Sequence, residues 1–282
     1  MMIAHLIIAH TNPKQIERLI GRLVCAKSHI YIHVDKKSKI DDFIYLKTRP
    51  NVYFIENRIR VTWGAYSMVQ ATLKSMEQIL ASKMEYSHIN LLSGQDYPLK
   101  NPNEICDFFL ANSDKTFMKF LSINDHWKEA LPRLHNYHLT NHNYPLKYRV
   151  QYLINKILPK RKMPANLKPF GLSQWFTITS LHAKYVIDYL KENKNVERFF
   201  SMTWGADEFV FQTILLNSEY RNNIENNYRR FIKFEAGATR PMILTLNDVD
   251  SLLMSGKFYA RKFDDNIDNE VLNYLDSVVS IN

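Results

Sequence analysis

The stretch IAHLIIAHTNPKQIERLIGRLV, residues 3–24, decides the fold because a strand pattern in it is followed by a helix pattern. Ile3–Ala9 is a short apolar run typical of a buried strand. Asn12 and Pro13 are residue types preferred at a helix N-cap and at the first helical position. The apolar residues that follow have the spacing of an amphipathic helix: Ile16, Leu19, Ile20, Leu23 and Val24.

The same alternation continues along the first half of the chain. Strands are predicted at His29–Val34, Asn51–Glu56 and His88–Leu92, and a helix at Met68–Leu80. Strand–helix alternation predicts right-handed crossovers and an α/β fold, with a mostly parallel central sheet and helices on both faces. Ligands bind beyond the carboxyl ends of such strands. Those ends hold His10, Asp35 and the turn Gly94-Gln95-Asp96.

Residues 121–170 differ in composition from the segments before them and are rich in His, Asn, Tyr, Lys and Pro. We expect a loop-rich insertion there, with one helix near Tyr148–Leu158 and a basic cluster from Lys156 to Lys168. Regular patterns then return, and the chain is expected to form a single domain over residues 1–282. The later predictions are strands at Trp175–Thr179, Arg229–Phe234 and Lys257–Ala260, and helices from Ser180, at Asp207–Asn217, at Asn247–Met254 and at Asp268–Val278.

Composition excludes several classes of protein. The 282 residues are 46% hydrophobic and 23% charged, which excludes a disordered chain. No apolar run reaches the ~20 residues of a membrane span, and the N-terminal run is expected to be a strand rather than a signal peptide. Cys25 and Cys106 lack a CxxC partner, so we expect core thiols and a cytoplasmic setting. The net charge of +9 favours an anionic partner: nucleic acid, an anionic membrane or a phosphorylated ligand.

Several motifs of known chemistry are missing or imperfect. The sequence has no phosphate-binding GxxxxGK[ST], no GxGxxG after the first strand and no GxSxG. His138 and His142 are spaced for zinc on a helix, but Leu139 stands where a metalloprotease needs Glu. Asp248-Val249-Asp250 matches the DxD of metal-dependent sugar transfer. We expect it to cap a helix instead, because it opens a helical pattern.

Asp207 and Glu208 are a more promising pair. Adjacent carboxylates on a helix point about 100° apart, so they cannot flank one bond as a glycosidase pair does. Either one caps the helix while the other is a general base, or both are caps. The cations Arg240 and Arg261-Lys262 form either a solvated basic face or an anion site. Because side chains alternate along a strand, Arg261 and Lys262 would point to opposite faces, so at most one of them enters a given site.

Five strings of the sequence occur together and in order. They resemble the core-2/I-branching family of β-1,6-N-acetylglucosaminyltransferases, which also contains the peptide O-xylosyltransferases. The resemblance runs from about residue 3 to residue 275, and only residues 121–170 fail to match clearly. The strings are Ile32-His33-Val34-Asp35-Lys36-Lys37, Val61-Thr62-Trp63-Gly64, Leu92-Ser93-Gly94-Gln95-Asp96-Tyr97-Pro98-Leu99, Ala206-Asp207-Glu208-Phe209 and Phe258-Tyr259-Ala260-Arg261-Lys262-Phe263-Asp264.

The resemblance implies a GT-A-like fold and inverting transfer from a UDP-sugar with neither divalent metal nor cofactor. It implies Glu208 as general base, Arg240 and Lys262 as the cations that hold the diphosphate, and Asp35 at the uridine. His10 and Asp96, at neighbouring strand ends, are further candidates for UDP. Residues 1–120 would form the nucleotide-binding half and residues 171–282 the acceptor and catalytic half. The disulfides and membrane anchor of the animal branching enzymes are not expected, which suits a bacterial-type enzyme.

Acceptor choice is expected to lie largely in the unmatched segment. The donor implied is UDP-GlcNAc, with UDP-xylose as the alternative, and the acceptor a glycan or lipid-linked saccharide. A non-enzymatic protein that binds nucleic acid or a membrane is the rival class, but the cations are dispersed and no nucleic-acid motif is present. The basic cluster could hold the enzyme at an anionic membrane, at its cytoplasmic face. The candidate acceptor residues are Trp127, Arg133, His135, Tyr137 and Trp175, and the candidate cleft walls also include Trp63 and Trp204.

Overall fold

The computed structural model describes residues 1–235 and 237–279. Its strands are β1 (Met2–Ala9), β2 (Ser28–Val34), β3 (Val52–Phe54), β4 (Tyr86–Ser93), β5 (Asp96–Pro98), β6 (Thr116–Ser122), β7 (Phe170–Thr179), β8 (Ile224–Asn226), β9 (Arg230–Ile232) and β10 (Tyr259–Arg261). Its helices are α1 (Pro13–Leu23), α2 (Ser67–Leu80), α3 (Pro102–Ala111), α4 (Leu131–His135), α5 (Lys147–Ile157), α6 (Ser180–Glu192), α7 (Lys194–Ser201), α8 (Val210–Leu216), α9 (Val249–Met254) and α10 (Glu270–Val278). The predicted α/β fold is confirmed.

Seven strands form the central sheet, in the order β3-β2-β1-β4-β7-β6-β8. The strands β3, β2, β1 and β4 are parallel, β7 is antiparallel to both its neighbours, and β8 is parallel to β6. Side chains of a strand alternate between the two faces of a sheet. On β1, Leu6 packs in one hydrophobic core and Ile7 in a second. Both faces of the sheet are therefore covered, as the continuous apolar run of β1 predicts.

A second sheet of three strands, β5-β10-β9, lies beside the first. The buried side chain of Arg230, on β9, joins the two sheets: it donates to the Asn90 Oδ1 atom at 2.6 Å and to the Leu91 and Phe176 carbonyls, each at 2.9 Å. A buried guanidinium is costly unless its donors are bonded. These bonds offset the cost and fix β9 and β10 against the carboxyl end of β4.

The helices begin and end largely as their sequence signals indicate. The Asn12 side chain accepts a hydrogen bond from Gln15 N, so the predicted N-cap of α1 is confirmed. After α1, Cys25 lies at the edge of the core and Cys106 of α3 lies inside it, with their sulfur atoms 3.4 Å apart and both thiols free. The predicted insertion helix is α5, which begins one residue earlier than expected. The described helices include none long and apolar enough to cross a membrane.

Candidate active site

Glu208 lies in a tight turn held by glycines from three segments. Gly205, just before the turn, has a φ of 66° in the left-handed region, and its N–H donates to the Gly64 carbonyl at 2.7 Å. A Cβ atom added to Gly171, on β7, would lie 2.5 Å from the Glu208 carbonyl oxygen. Only glycine permits a left-handed φ without strain and so close an approach of two backbones. The backbone of Glu208 is therefore fixed on two sides.

The helix predicted over Asp207–Asn217 is two elements. Residues Ala206–Glu208 form a single 3-10 turn, and α8 starts only after Phe209, whose φ of −124° and ψ of −40° break the helix. The buried Phe209 ring anchors this break in the core. Neither acidic side chain caps α8, so the capping interpretation of Asp207 and Glu208 is wrong.

Arg133 contacts Glu208 directly, which the sequence alone does not reveal. Its Nη2 atom donates to Glu208 Oε2 at 2.7 Å and to the Gly205 carbonyl at 3.1 Å, while Nε donates to the Trp204 carbonyl at 3.1 Å. The side chain of Glu208 is 35% exposed, and its Oε1 atom has no hydrogen bond to another described residue. One carboxylate oxygen is thus held by a charge-assisted bond, and the other is free to accept a proton.

Asp207 has the opposite environment. Its Oδ1 atom is buried and without a hydrogen-bond partner among the described residues. Burial, and then the charge of Glu208, raise the pKa of Asp207 to about 7. Two adjacent carboxyl groups are therefore distinguished by their surroundings: Asp207 holds its proton to near-neutral pH, and Glu208 faces solvent beside a guanidinium.

Aromatic rings surround the Arg133–Glu208 pair. The guanidinium carbon of Arg133 lies 4.5 Å from the centre of the Phe209 ring and 4.7 Å from that of Trp204. Trp127 stacks on Phe209, with ring centres 5.5 Å apart and an angle of 17° between planes. Trp63 meets Trp204 edge-on at 5.2 Å and is 59% exposed. Three of the four predicted wall tryptophans thus lie around Glu208.

The structure brings the candidate cation Arg240 to this aromatic cluster. The exposed Arg240 has its guanidinium carbon 5.6 Å from the centre of the Trp63 ring. Lys262 directly follows β10, and its carbonyl accepts a hydrogen bond of 2.8 Å from Leu244 N. The main chain four residues after Arg240 therefore runs beside Lys262. Both cations lie on segments that extend from the small sheet, although their side chains make no direct contact in the described part of the chain.

Asp35 directly follows β2, where the strand pattern predicts a ligand site. It is buried, and its Oδ1 atom accepts hydrogen bonds from Lys37 N at 2.9 Å and from Val61 N at 3.3 Å. Its Oδ2 atom lies 3.5 Å from Lys37 Nζ. These bonds shape the loop after β2, and contact with the uridine stays a prediction.

Asp96 and Arg261 form a buried ion pair behind Lys262. Asp96 accepts hydrogen bonds from the amide and hydroxyl of Ser93, and Arg261 Nε lies 3.3 Å from Asp96 Oδ1 without hydrogen-bond geometry. The Arg261 guanidinium carbon lies 3.9 Å from the centre of the Trp175 ring. Arg261 therefore turns inward, so at most Lys262 of this pair reaches a site, as alternation predicts. The Asp96 carboxylate is directed at protein groups, and binding of UDP to it stays a prediction.

His10 lines a cleft at the carboxyl ends of β1 and β4. The cleft is also lined by Asn12, Gln15, Gly94 and Asp264. Gln15 closes its floor: its Nε2 atom donates to the Gly94 carbonyl at 3.0 Å and to the Phe263 carbonyl at 3.2 Å. This single side chain joins α1 to the segment that carries Lys262.

The remaining candidate acceptor residues, His135 and Tyr137, lie beside the insertion helix. The carbonyl of His135 accepts from Arg161 N at 2.8 Å, and the Tyr137 ring lies 5.6 Å from the Arg161 guanidinium carbon. Both follow Arg133 within four residues, so the chain places them near Glu208. Acceptor contact by Trp127, Arg133, His135, Tyr137 and Trp175 stays a prediction.

Two of the residues considered for metal binding, Asp248 and His138, make polar contacts within the protein. Asp248 forms a capping box with Thr245 in the 3-10 turn before α9 and an ion pair of 2.6 Å with Lys233, so the expected capping role is confirmed for Asp248. His138 Nε2 lies 3.4 Å from the Pro132 carbonyl. Across residues 1–235 and 237–279, no three His, Cys, Asp or Glu side chains are grouped to hold a metal ion.

Two contacts of the candidate site were not predicted from the sequence, for different reasons. Arg133 and Glu208 are 75 positions apart, and no local pattern links them. Gln15 had a usable signal, because it is a polar residue within the buried face of α1. A glutamine buried among apolar neighbours must find hydrogen bonds, and here it finds them at the cleft.

Comparison with known proteins identifies the family of the chain. The Core-2/I-Branching enzyme family model matches residues 3–254. The chain is 26% identical over 224 residues to xylosyltransferase oxt of Drosophila pseudoobscura pseudoobscura, covering 76% of this chain and 24% of that protein. It is 26% identical over 305 residues to xylosyltransferase 2 of Homo sapiens, covering 97% of this chain and 33% of that protein. The chain thus spans about a third or less of the length of these relatives.

Likenesses to solved structures are more distant. S. aureus TarS 1-349 has a TM-score of 0.40 at 12% identity, covering 79% of this chain and 57% of that one. The bifunctional WbbM has a TM-score of 0.44 at 11% identity, covering 92% of this chain and 45% of that one. The family model, in contrast, matches the central sheet from Ile3 onward and the Glu208 turn. The chain belongs to the Core-2/I-branching enzyme family.

Proposed function

We propose that this chain is an inverting glycosyltransferase that moves a sugar from a UDP-sugar to a hydroxyl group of a glycan. The observation that carries the proposal is Glu208: one oxygen is bonded to Arg133 and the other is open to solvent. A fixed, half-exposed carboxylate is suited to accept a proton from an alcohol. Membership in the Core-2/I-branching family supports the same reaction.

In the proposed step the acceptor oxygen attacks the anomeric carbon of the donor as its proton passes to Glu208. The bond between that carbon and the β-phosphate oxygen breaks, and its electron pair leaves with UDP. Arg133 keeps the carboxylate oriented through its bonds to the backbone of the same turn. Asp207 holds its proton to higher pH and so adds less negative charge beside the base.

Arg240 and Lys262 are proposed to stabilise the diphosphate that departs. Negative charge grows on this group in the transition state, and fixed cations there lower the barrier without a divalent metal. Transfer should continue in EDTA, whereas strict dependence on Mn²⁺ would contradict this assignment. His10, Asp35 and Asp96 are proposed at the nucleotide side, where β1, β2 and β4 end.

The donor is proposed to be UDP-GlcNAc, with UDP-xylose as a second candidate. UDP-xylose is a candidate because the relatives named above are xylosyltransferases. The two sugars differ in one hydroxymethyl and one acetamido group, which pocket shape distinguishes. A donor panel with a soluble glycan acceptor separates them by turnover.

The decisive test replaces Glu208 by Gln and measures transfer together with UDP affinity. Loss of a general base is expected to lower kcat about 10²–10⁴-fold, while the Kd of UDP changes little. Glu219→Gln, on an exposed turn away from Arg133, is the matched control and should keep wild-type turnover. Wild-type turnover in the Glu208→Gln variant would show that another group is the base.

A further inference from the structure

Helix α5 is bonded to the rest of the protein by polar side chains, whereas an ordinary surface helix packs on the protein through its apolar face. The Asn155 side chain accepts from Tyr137 N at 2.7 Å and donates to the Tyr137 carbonyl at 2.8 Å. The Gln151 Oε1 atom accepts from Leu139 N at 2.9 Å. These two amides are four residues apart and so share one face of the helix. No residue of α5 is buried.

Beyond these amides, α5 presents apolar and aromatic side chains to solvent. Tyr148 is 65% exposed, Tyr152 66%, Leu153 52% and Ile157 77%. At about 100° per residue, Leu153 and Ile157 lie opposite the face of Gln151 and Asn155, and the two tyrosines lie between, with Tyr148 beside Asn155. Arg149 and Lys156 lie between them, at the centre of the exposed face. We call these six residues the α5 surface. Single exposed apolar residues are ordinary, but a contiguous group indicates a contact surface.

The segment of chain that carries α5 has charge of one sign. The sequence has no Asp or Glu between Glu129 and Asp188. In the described part of the chain, no cation on or after α5 up to Lys168 takes part in an ion pair. The exposed ones are Arg149, Lys156, Lys160, Lys162 and Lys168.

We propose that the α5 surface docks on an anionic lipid bilayer, with the helix lying in the plane of the headgroups. Apolar side chains mixed with Lys and Arg are the composition of interfacial helices, and Tyr rings suit the boundary between headgroups and acyl chains. The long stems of Arg149 and Lys156 let their charges reach phosphate while the aliphatic carbons stay in contact with lipid.

Charge decides between a bilayer and a second copy of this chain. In a two-fold symmetric dimer the same patch meets itself, so the cation-bearing patch of one copy would pack on that of the other. Like charges brought together in this way repel, and no acidic side chain nearby in the sequence offsets the repulsion. An anionic bilayer instead attracts each cation, strengthening binding about fivefold per Lys or Arg.

The α5 surface is joined to the candidate active site through a short path. Asn155 binds the backbone of Tyr137, which follows Arg133 by four residues. Docking therefore brings the Glu208 turn close to the membrane. The docking proposal goes beyond the proposed function and does not depend on it, because binding is measured without a sugar donor.

The test is sedimentation of the full chain with vesicles. Binding is expected to vesicles of phosphatidylglycerol and phosphatidylcholine, with much weaker binding to phosphatidylcholine alone and a loss as salt rises. The variant Tyr152→Ser/Leu153→Ser/Ile157→Ser should bind at least ~10-fold more weakly, because it removes apolar area. The variant Arg149→Gln/Lys156→Gln should lose roughly 25-fold, at about fivefold per charge.

Matched controls change similar side chains elsewhere. Leu181→Ser/Ile267→Ser alters two exposed apolar residues, and Lys47→Gln/Lys83→Gln removes two exposed cations. Both controls should bind like the wild type, and thermal unfolding should be unchanged in all four variants. Turnover with a soluble acceptor should also be unchanged in the α5 variants, which separates a failure of docking from a failure of the proposed function.

Three results would overturn the proposal. The wild type could fail to bind phosphatidylglycerol vesicles, or the α5 variants could bind as tightly as the wild type. The third is self-association: if the wild type forms a dimer that the triple Ser variant dissolves, while vesicle binding is unchanged, the α5 surface is a contact between copies.

Discussion

Two arginine–carboxylate pairs in this molecule share their chemistry and differ in what surrounds them. In both, the guanidinium lies against tryptophan: Arg133 near Trp204 and Arg261 near Trp175. The Glu208 side chain is 35% exposed, whereas that of Asp96 is 1% exposed. Glu208 keeps one oxygen open to solvent, and Asp96 uses both on Ser93.

This difference in burial distinguishes an ion pair available for chemistry from one that supports the fold. A buried pair contributes to structure only while both charges are present, because either one alone is left desolvated. A half-exposed pair contributes little to stability, since water can replace the missing partner. We infer that Arg261–Asp96 fixes the small sheet behind Lys262, and that Arg133–Glu208 is free to take part in chemistry.

The largest effect should come from breaking the buried pair. Asp96→Asn leaves the charge of Arg261 uncompensated and should lower the free energy of unfolding by about 3–5 kcal/mol. Glu208→Gln should lower it by less than about 1 kcal/mol, since Arg133 keeps its bonds to two backbone carbonyls. Urea unfolding of both variants checks this, and equal losses would remove the distinction between the pairs.

The next effect concerns Asp207, a carboxyl group with no guanidinium bonded to it. Its pKa is raised from 3.8 to about 7, so the folded chain holds the proton longer than the unfolded chain does. The contribution of protonated Asp207 to the free energy of unfolding is therefore present at low pH and is lost as pH rises from about 4 to 7. Asp207→Asn should exceed the wild type in free energy of unfolding by about 2–4 kcal/mol near pH 8 and match it near pH 4.

Unfolding curves of the wild type and Asp207→Asn at both pH values give the measurement. Asp250→Asn, at an exposed carboxylate of α9, is the control and should show no such dependence. A constant difference between Asp207→Asn and the wild type at all pH values would mean that Asp207 is ionised in the fold.

The smallest effect tests the orientation that Arg133 gives to Glu208. Lysine keeps the charge but lacks the planar fork that reaches Glu208 through Nη2 and the Trp204 carbonyl through Nε. Arg133→Lys should lower kcat about 10-fold and leave the donor KM within about twofold, since the loss of one charge-assisted bond is worth roughly 1.5–3 kcal/mol. Initial-rate kinetics check the split, and a change confined to KM would assign Arg133 to substrate binding.

Much of the fold could be predicted because its signals are local. Apolar runs predicted the buried strands β1, β2 and β4, and Asn12 and Pro13 predicted the N-cap of α1. The break at Phe209 could not be predicted, since Val210–Leu216 continues an apolar helical pattern and only core packing of the ring interrupts it. The sequence also indicated helix α5 without revealing that its amides face inward.

The candidate site divides in the same way. Glu208, Arg240 and Lys262 came from the resemblance to a family, and the structure adds the contacts of Glu208 and Arg240. The Arg133–Glu208 contact depends on the path of a segment whose sequence matches no motif. Strand alternation predicted that at most one of Arg261 and Lys262 enters a given site, but not which, and the partners of Arg261, Asp96 and Trp175, come from two other strands.

The bond from Arg133 to the Glu208 turn has a consequence for engineering. The arginine belongs to the segment expected to choose the acceptor, while the glutamate belongs to the half shared with the family. Grafting that segment from another family member, to obtain a chimera of new specificity, would also exchange the group that orients the base. A working graft therefore has to bring an arginine of its own to the Gly205 turn, along with aromatic side chains that hold it there.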